Sequence, residues 1–132
     1  MPPVVAIALG GAVGAVGRYL VGLASRAWLG DQFAYGTLIV NVAGCFALGL
    51  LMHGGLVAAA RLPILAHPGV TVGFLGALTT FSTFGYETVR LAEQGQWPLA
   101  LVNIAANVLL GCGAAAAGIA ASRYAPGWFG VG

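Results

Sequence analysis

The feature that most constrains this chain is a set of four long apolar runs, which use up nearly all of its 132 residues. They cover about 4–25, 36–58, 69–92 and 98–121, and each is long enough for the roughly 20 apolar residues that a helix needs to cross a bilayer. The short connections carry half of the eight charged residues. We therefore predict a single integral membrane domain, residues 1–132, with four transmembrane helices.

Composition excludes a water-soluble alternative. Hydrophobic residues make up 60% of the chain and charged residues 6%, whereas soluble domains are about 25% charged. The net charge of +2 comes from five basic and three acidic residues spread singly along the chain. They form no basic stripe, so nucleic-acid binding is excluded. Cys45 and Cys112 lie inside apolar runs, and we interpret them as small hydrophobic residues rather than a disulfide.

The arginines give no preference for one orientation in the membrane. Arg61 and Arg123 lie on the side of both termini and the second loop, whereas Arg26 and Arg90 lie on the side of the other two loops. With two arginines on each side, neither side has an excess of positive residues, so the positive-inside rule favours neither orientation. We therefore predict dual topology, in which two oppositely oriented copies pair about a twofold axis in the membrane plane.

Polar side chains inside the spans are energetically expensive and are therefore candidates for function. Arg18 lies in the first span, where it either snorkels outward or holds positive potential at an aqueous vestibule. Thr37 and Asn41 share one face of the second span, and Asn103 and Asn107 repeat the same four-residue spacing in the fourth. A lone asparagine often only joins helices. Three of them favour a polar track across the bilayer.

The third span contains an unusual run of hydroxyl side chains. They are Thr79, Thr80, Ser82 and Thr83. Two interpretations stay open: an intact helix can absorb such side chains by bonding them to its own carbonyls, or the helix breaks in mid-membrane and its freed carbonyls line an ion site. Phe81 and Phe84 lie three residues apart in this run, and the electropositive edges of their rings can face an anion.

These segments resemble the Fluc (CrcB) family of fluoride channels. The resemblance covers all four spans and is carried by GRY at 17–19, GTLIVNVAG at 36–44 and GALTTFSTF at 76–84, with Glu87 downstream. It implies a channel rather than an enzyme, located in the inner cell membrane of a prokaryote. Two antiparallel subunits in contact with membrane lipid would form a homodimer with two pores, through which fluoride leaves the cytoplasm passively.

The resemblance also implies roles for individual residues. The pore would be lined by Thr37, Asn41, Phe81, Ser82, Thr83, Phe84, Asn103 and Asn107. Arg18 would lie at the vestibule, and the backbone carbonyls of Gly76 and Thr79 would hold a structural sodium ion at the dimer interface. This chain departs from relatives in the fourth span, where Gly111 replaces a common hydroxyl residue and asparagines replace Tyr or Ser. The roles of Arg18 and Glu87 stay open.

Two other functions compete with this interpretation. A small dual-topology multidrug antiporter also has four short spans, but it needs a carboxylate deep in the membrane, and Glu87 and Glu93 lie toward the end of the third span. An intramembrane hydrolase would need a nucleophile beside a base. His53 and His67 are far in sequence from Ser82, so we interpret both histidines as interfacial residues.

Overall fold

Helices make up all the regular structure in residues 2–53 and 63–128, which a computed structural model describes. In chain order they are α1 (Pro3–Leu29), α2 (Tyr35–Met52), a short 3₁₀ helix (Pro63–Ala66), α3 (69–78), α4 (Phe81–Glu93) and α5 (Trp97–Trp128). Helix α3 begins as a π-helix, Gly69–Leu75, and ends in one α-helical turn, Gly76–Leu78. The predicted all-helical fold is confirmed.

Three helices in the described part of the chain are long and apolar enough to cross a membrane: α1, α2 and the Trp97–Ala125 part of α5. Their outer faces are apolar, and side chains such as Val13 and Leu109 are 61% and 70% exposed. Such surfaces are stable in lipid and unfavourable in water. The chain is therefore an integral membrane protein.

Two helices extend beyond the predicted spans. Helix α1 continues past residue 25 to Leu29, and α5 continues past residue 121 to Trp128. An apolar run marks the part of a helix that fits the hydrocarbon core, whereas the helix itself can continue into the polar interface. Residues 54–58 of the predicted second span, Arg61 and Phe129 lie outside the described residues.

Close packing between the helices depends on glycine. Gly10 and Gly14 of α1 lie directly against main-chain carbonyls of α3, and Gly49 of α2 and Gly118 of α5 lie against carbonyls of each other's helices. A Cβ atom at any of these four positions would collide with backbone. Small residues thus let the helix axes approach, as they commonly do in membrane proteins.

The chain is extended at two residues between α3 and α4. Thr79 has φ −81° and ψ 158°, and Thr80 has φ −155° and ψ 121°. Helix α4 then begins at Phe81 with Thr80 as its N-cap, because the Thr80 hydroxyl accepts the N–H of Thr83 at 3.2 Å. This interruption brings backbone polar groups to the interior of the molecule.

Candidate functional site

The side chain of Asn41 holds the interruption in place. Its Oδ1 accepts the N–H of Thr80 at 2.8 Å, and its Nδ2 donates to the Thr80 carbonyl at 3.1 Å. The amide thus pairs with the backbone as a neighbouring strand would. Thr80 is only 7% exposed, so an asparagine from α2 satisfies two backbone groups that the interruption would otherwise leave unpaired.

The same amide begins a connected series of hydrogen bonds. Asn41 Nδ2 donates to Asn107 Oδ1 at 2.9 Å, and Asn107 Nδ2 lies 3.0 Å from both the carbonyl and the Oδ1 of Asn103. Asn103 Nδ2 donates to Thr88 Oγ1 at 2.9 Å, and the Thr88 hydroxyl donates to the carbonyl of Phe84 at 2.8 Å. We call Asn41, Asn107, Asn103 and Thr88 the amide relay. The structure therefore brings all three predicted asparagines together.

The hydroxyls of the interruption form a second cluster beside this relay. Thr80 Oγ1 lies 3.2 Å from Ser82 Oγ and donates to Thr83 Oγ1 at 3.1 Å. The rings of Phe81 and Phe84 pack edge to face, with centroids 5.5 Å apart and an interplanar angle of 60°. Phe84 is half-buried, whereas Phe81 is 82% exposed. Most of the Phe81 ring is therefore free to contact lipid or a second chain.

A cavity of about 790 Å³ reaches these hydroxyls from the side of the α1–α2 loop. Thr37, Thr80 and Thr83 line it together with loop residues 31–34. Thr37 precedes Asn41 by one helical turn, so the cavity lies beside the start of the amide relay. The described helices thus leave a polar space between the loops and the interruption.

The charged lining of this cavity is mainly basic. Arg18, Arg26 and Arg90 line it together with Asp31 and Glu87, so three positive and two negative side chains give a formal charge of +1. Such a lining favours anions over cations near the cavity. One oxygen of Glu87, Oε2, is buried and has no hydrogen-bond partner among the described residues. The carboxyl group therefore retains acceptor capacity inside the site.

Gly76 and Thr79 supply carbonyls whose helical donors are used elsewhere. In an uninterrupted helix the N–H of Thr80 would bond to the Gly76 carbonyl, but it donates to Asn41. The N–H of Thr83 would bond to the Thr79 carbonyl, but it donates to the Thr80 hydroxyl. An added Cβ at Gly76 would meet no described residue within 4 Å outside the adjacent part of its own helix. This donor set of carbonyl oxygens fits a hard monovalent cation.

Two parts of the site were not predicted from the sequence. Thr88 joins the relay from α4. The sequence indicates only that it lies four residues after Phe84, a spacing at which a threonine hydroxyl can bond to a carbonyl of the preceding helical turn. At Gly111 the Sγ of Cys45 lies 3.6 Å from where a Cβ would be placed. Sulfur thus occupies part of the space beside Gly111.

Taken together, the fold and the site define a helical integral membrane protein with a polar site between its helices. The chain belongs to the CrcB family, because the family model described as "CrcB-like protein, Camphor Resistance (CrcB)" matches residues 5–119. This finding confirms the resemblance identified in the sequence.

Three relatives, each named fluoride-specific ion channel FluC, are similar over almost their whole length. The protein of Geobacter metallireducens is 47% identical over 124 residues, which cover 94% of this chain and 99% of the relative. Those of Magnetococcus marinus and Syntrophotalea carbinolica are 48% and 49% identical over 117 residues, which cover 89% of this chain and 94% of each relative. All three are named as ion channels and not as enzymes.

Proposed function

We propose that this chain is a fluoride-specific channel through which fluoride crosses the membrane passively. The similarity to channels of this name, at 47% identity over 94% of the chain, supports the assignment. The structural observation that carries it is the polar site between apolar helices, reached by a cavity with net positive lining. Fluoride is small and strongly hydrated, so a narrow pore must replace its water with hydroxyl, amide and aromatic-edge contacts.

The proposed path begins in the cavity and continues along the hydroxyls and the three asparagines of the amide relay. Arg18 lies at the vestibule, and the other proposed path residues are Thr37, Asn41, Phe81, Ser82, Thr83, Phe84, Asn103 and Asn107. Both N–H groups of the Asn41 amide are used, one by Thr80 and one by Asn107. Asn41 therefore shapes the path by holding its backbone, and it donates to fluoride only by exchanging one of these bonds.

The competing functions lack comparable support. Relatives that align over nearly the whole chain are named as fluoride channels, which does not support a multidrug antiporter. Glu87 lines a cavity that also contains three arginines, and this lining is unfavourable for an organic cation. The conclusion is an anion channel of a bacterial membrane, and its location in the inner membrane is part of the proposal.

The active unit in this proposal is an antiparallel homodimer of four-span subunits, with the interruption of the third span at mid-membrane. Phe81 and Tyr86 are 82% and 68% exposed, and Gly76 and Gly85 have open space where a side chain would begin. These positions belong to α3 and α4, next to the interrupted backbone. A second copy that packs there would shield the polar interruption from lipid.

Loop labelling tests the dual topology. A chain with Cys45 and Cys112 replaced by alanine and one cysteine introduced at Asp31 is treated in intact cells with a membrane-impermeant thiol reagent. We expect about half of the molecules to react, because opposite orientations insert equally. Labelling of all or none of them would exclude dual topology and leave fluoride conduction untouched.

A structural sodium ion between the two subunits is a further part of the proposal. The carbonyls of Gly76 and Thr79 have lost their helical donors, and two copies of this pair about a twofold axis would surround one cation with oxygen. We expect prolonged replacement of sodium by a larger monovalent cation to slow fluoride flux. Flux that is identical after exhaustive exchange would show that no sodium ion is required.

The decisive test of the function is ion flux from liposomes that contain only this purified chain. Fluoride efflux is measured with a fluoride electrode, and chloride efflux is measured under the same gradient. We expect rapid fluoride efflux and almost no chloride efflux. Equal rates for the two anions, or no efflux of either, would refute the proposed function.

A further inference from the structure

The amide relay ends on Thr88, a residue that lies outside the proposed path. The hydroxyl of Thr88 accepts from Asn103 Nδ2 at 2.9 Å and donates to the carbonyl of Phe84 at 2.8 Å. Asn103 is 0% exposed, so water cannot replace this bond. A single hydroxyl therefore connects the most buried asparagine of α5 with the backbone of a phenylalanine on α4.

All bonds of the relay run in one direction. In Asn41, Asn107 and Asn103, each side-chain nitrogen donates to the next residue. The direction is fixed at Asn41, because a flipped amide would set its NH₂ against the N–H of Thr80 and its oxygen against the Thr80 carbonyl. At the other end, the orientation of Asn103 depends on an acceptor that Thr88 provides.

We propose that Thr88 is a positioning residue, which holds Asn103 in the orientation that continues the direction set at Asn41 and so completes the relay. This proposal rests on the proposed function, since the relay lies along the fluoride path. Without the hydroxyl, Asn103 Nδ2 loses its acceptor in a site that water does not reach. If the amide flips, its nitrogen faces the nitrogen of Asn107; the bond between the two side chains is then lost, and only the bond from Asn107 Nδ2 to the Asn103 carbonyl remains.

Thr88 has a second effect through the backbone of α4. A threonine hydroxyl that bonds the carbonyl four residues earlier bends a helix slightly. Here that carbonyl belongs to Phe84, whose ring packs edge to face on Phe81. Loss of the hydroxyl therefore changes the local bend at the phenylalanine pair as well as the orientation of Asn103.

The test compares three threonine variants in the liposome assay. Thr88→Val keeps the shape and removes the hydroxyl, and we expect fluoride flux to fall about tenfold, because the competent arrangement of the relay becomes a minor population. Thr88→Ser keeps the hydroxyl and should retain flux within about twofold. Thr71→Val is the matched control, because Thr71 is a buried threonine whose hydroxyl, like that of Thr88, lies near a carbonyl four residues earlier, here 3.5 Å away.

A double-mutant cycle separates positioning from a general structural role. In an Asn103→Ala background, Thr88→Val should cause a clearly smaller loss of flux than in the wild-type background, because there is no amide left to orient and only the effect on α4 remains. Equal loss in Thr88→Val and Thr88→Ser, unchanged flux in Thr88→Val, or an additive loss in the Asn103→Ala background would each overturn the proposal.

Two further measurements keep the test decisive. If Thr88→Val does not assemble, Thr88→Cys replaces it: a thiol bonds weakly, so flux below that of Thr88→Ser is expected, and equal flux overturns the proposal. Wild-type flux is the separate check on the function. Absence of fluoride flux in the wild-type chain would refute the channel itself, whereas normal flux in both wild type and Thr88→Val would refute only the role of Thr88.

Discussion

Replacing Asn41 with leucine removes the polar contacts that α2 makes to the interruption, while the number of side-chain heavy atoms stays the same. The two bonds to Thr80, at 2.8 and 3.1 Å, and the bond to Asn107, at 2.9 Å, are all lost. The N–H and the carbonyl of Thr80 are then left without these partners in a residue that is 7% exposed. We expect Asn41→Leu to be less stable and to conduct no measurable fluoride.

The magnitude follows from the two backbone groups. An unsatisfied buried polar group costs about 1–3 kcal/mol, so the two groups of Thr80 cost roughly 2–6 kcal/mol. For a domain of this size, each kcal/mol lowers the melting temperature by roughly 4 °C. We therefore expect the melting temperature of Asn41→Leu in detergent to fall by roughly 8 °C or more.

Asn107→Leu is the matched control for this experiment. It also removes the bond between Asn41 and Asn107, but it leaves both bonds to Thr80 in place. Its melting temperature should fall less than that of Asn41→Leu. A melting temperature of Asn41→Leu within about 2 °C of the wild type would contradict the predicted role of Asn41. A lower stability of Asn107→Leu than of Asn41→Leu would contradict it as well.

Three other outcomes are expected. Phe81→Ile and Phe84→Ile should sharply reduce fluoride efflux from liposomes, because the aromatic edges are lost. Size-exclusion chromatography should show that the dimer remains assembled in both variants. Normal efflux in both would place the path elsewhere. Gly10→Ala should destabilise the protein by about 1–3 kcal/mol, because its Cβ meets a carbonyl of α3. The control Gly113→Ala should leave the stability unchanged, because its Cβ would meet nothing within 4 Å outside its own helix. Equal melting temperatures for the two variants would contradict this prediction. Arg18→Gln should lower fluoride flux severalfold at low ionic strength and less at high salt; a salt-independent effect would argue against an electrostatic role.

The helical architecture was predictable because lipid leaves the chain few choices. Backbone groups must be satisfied within the segment in the hydrocarbon core, so long apolar runs become helices. Spacing was equally informative for side chains on one helix. Asn103 and Asn107 lie four residues apart, which predicts a shared face, and their side chains are hydrogen-bonded at 3.0 Å. Periodicity thus predicted both the elements and part of the polar track.

The contacts that complete the site were not predictable in this way. Asn41 reaches Thr80 across 39 residues and Asn107 across 66 residues, and no local pattern encodes such distances. Thr88 enters the relay only because α4 and α5 pack side by side. The π-helical start of α3 has no local sequence signal either, and Gly69 and Gly73 within it lie against the backbone of α1. The contacts of Asn41 and Thr88 thus depend on tertiary packing.

The pairing of Asn41 with Thr80 has a consequence for the biogenesis of this protein. The interruption lies between α3 and α4, but the amide that stabilises it belongs to α2. Until α2 is packed beside this region, a newly inserted segment satisfies its backbone best as a continuous helix. We therefore expect insertion to precede the interruption and the extended residues to form late in folding, when neighbouring helices dock within the bilayer.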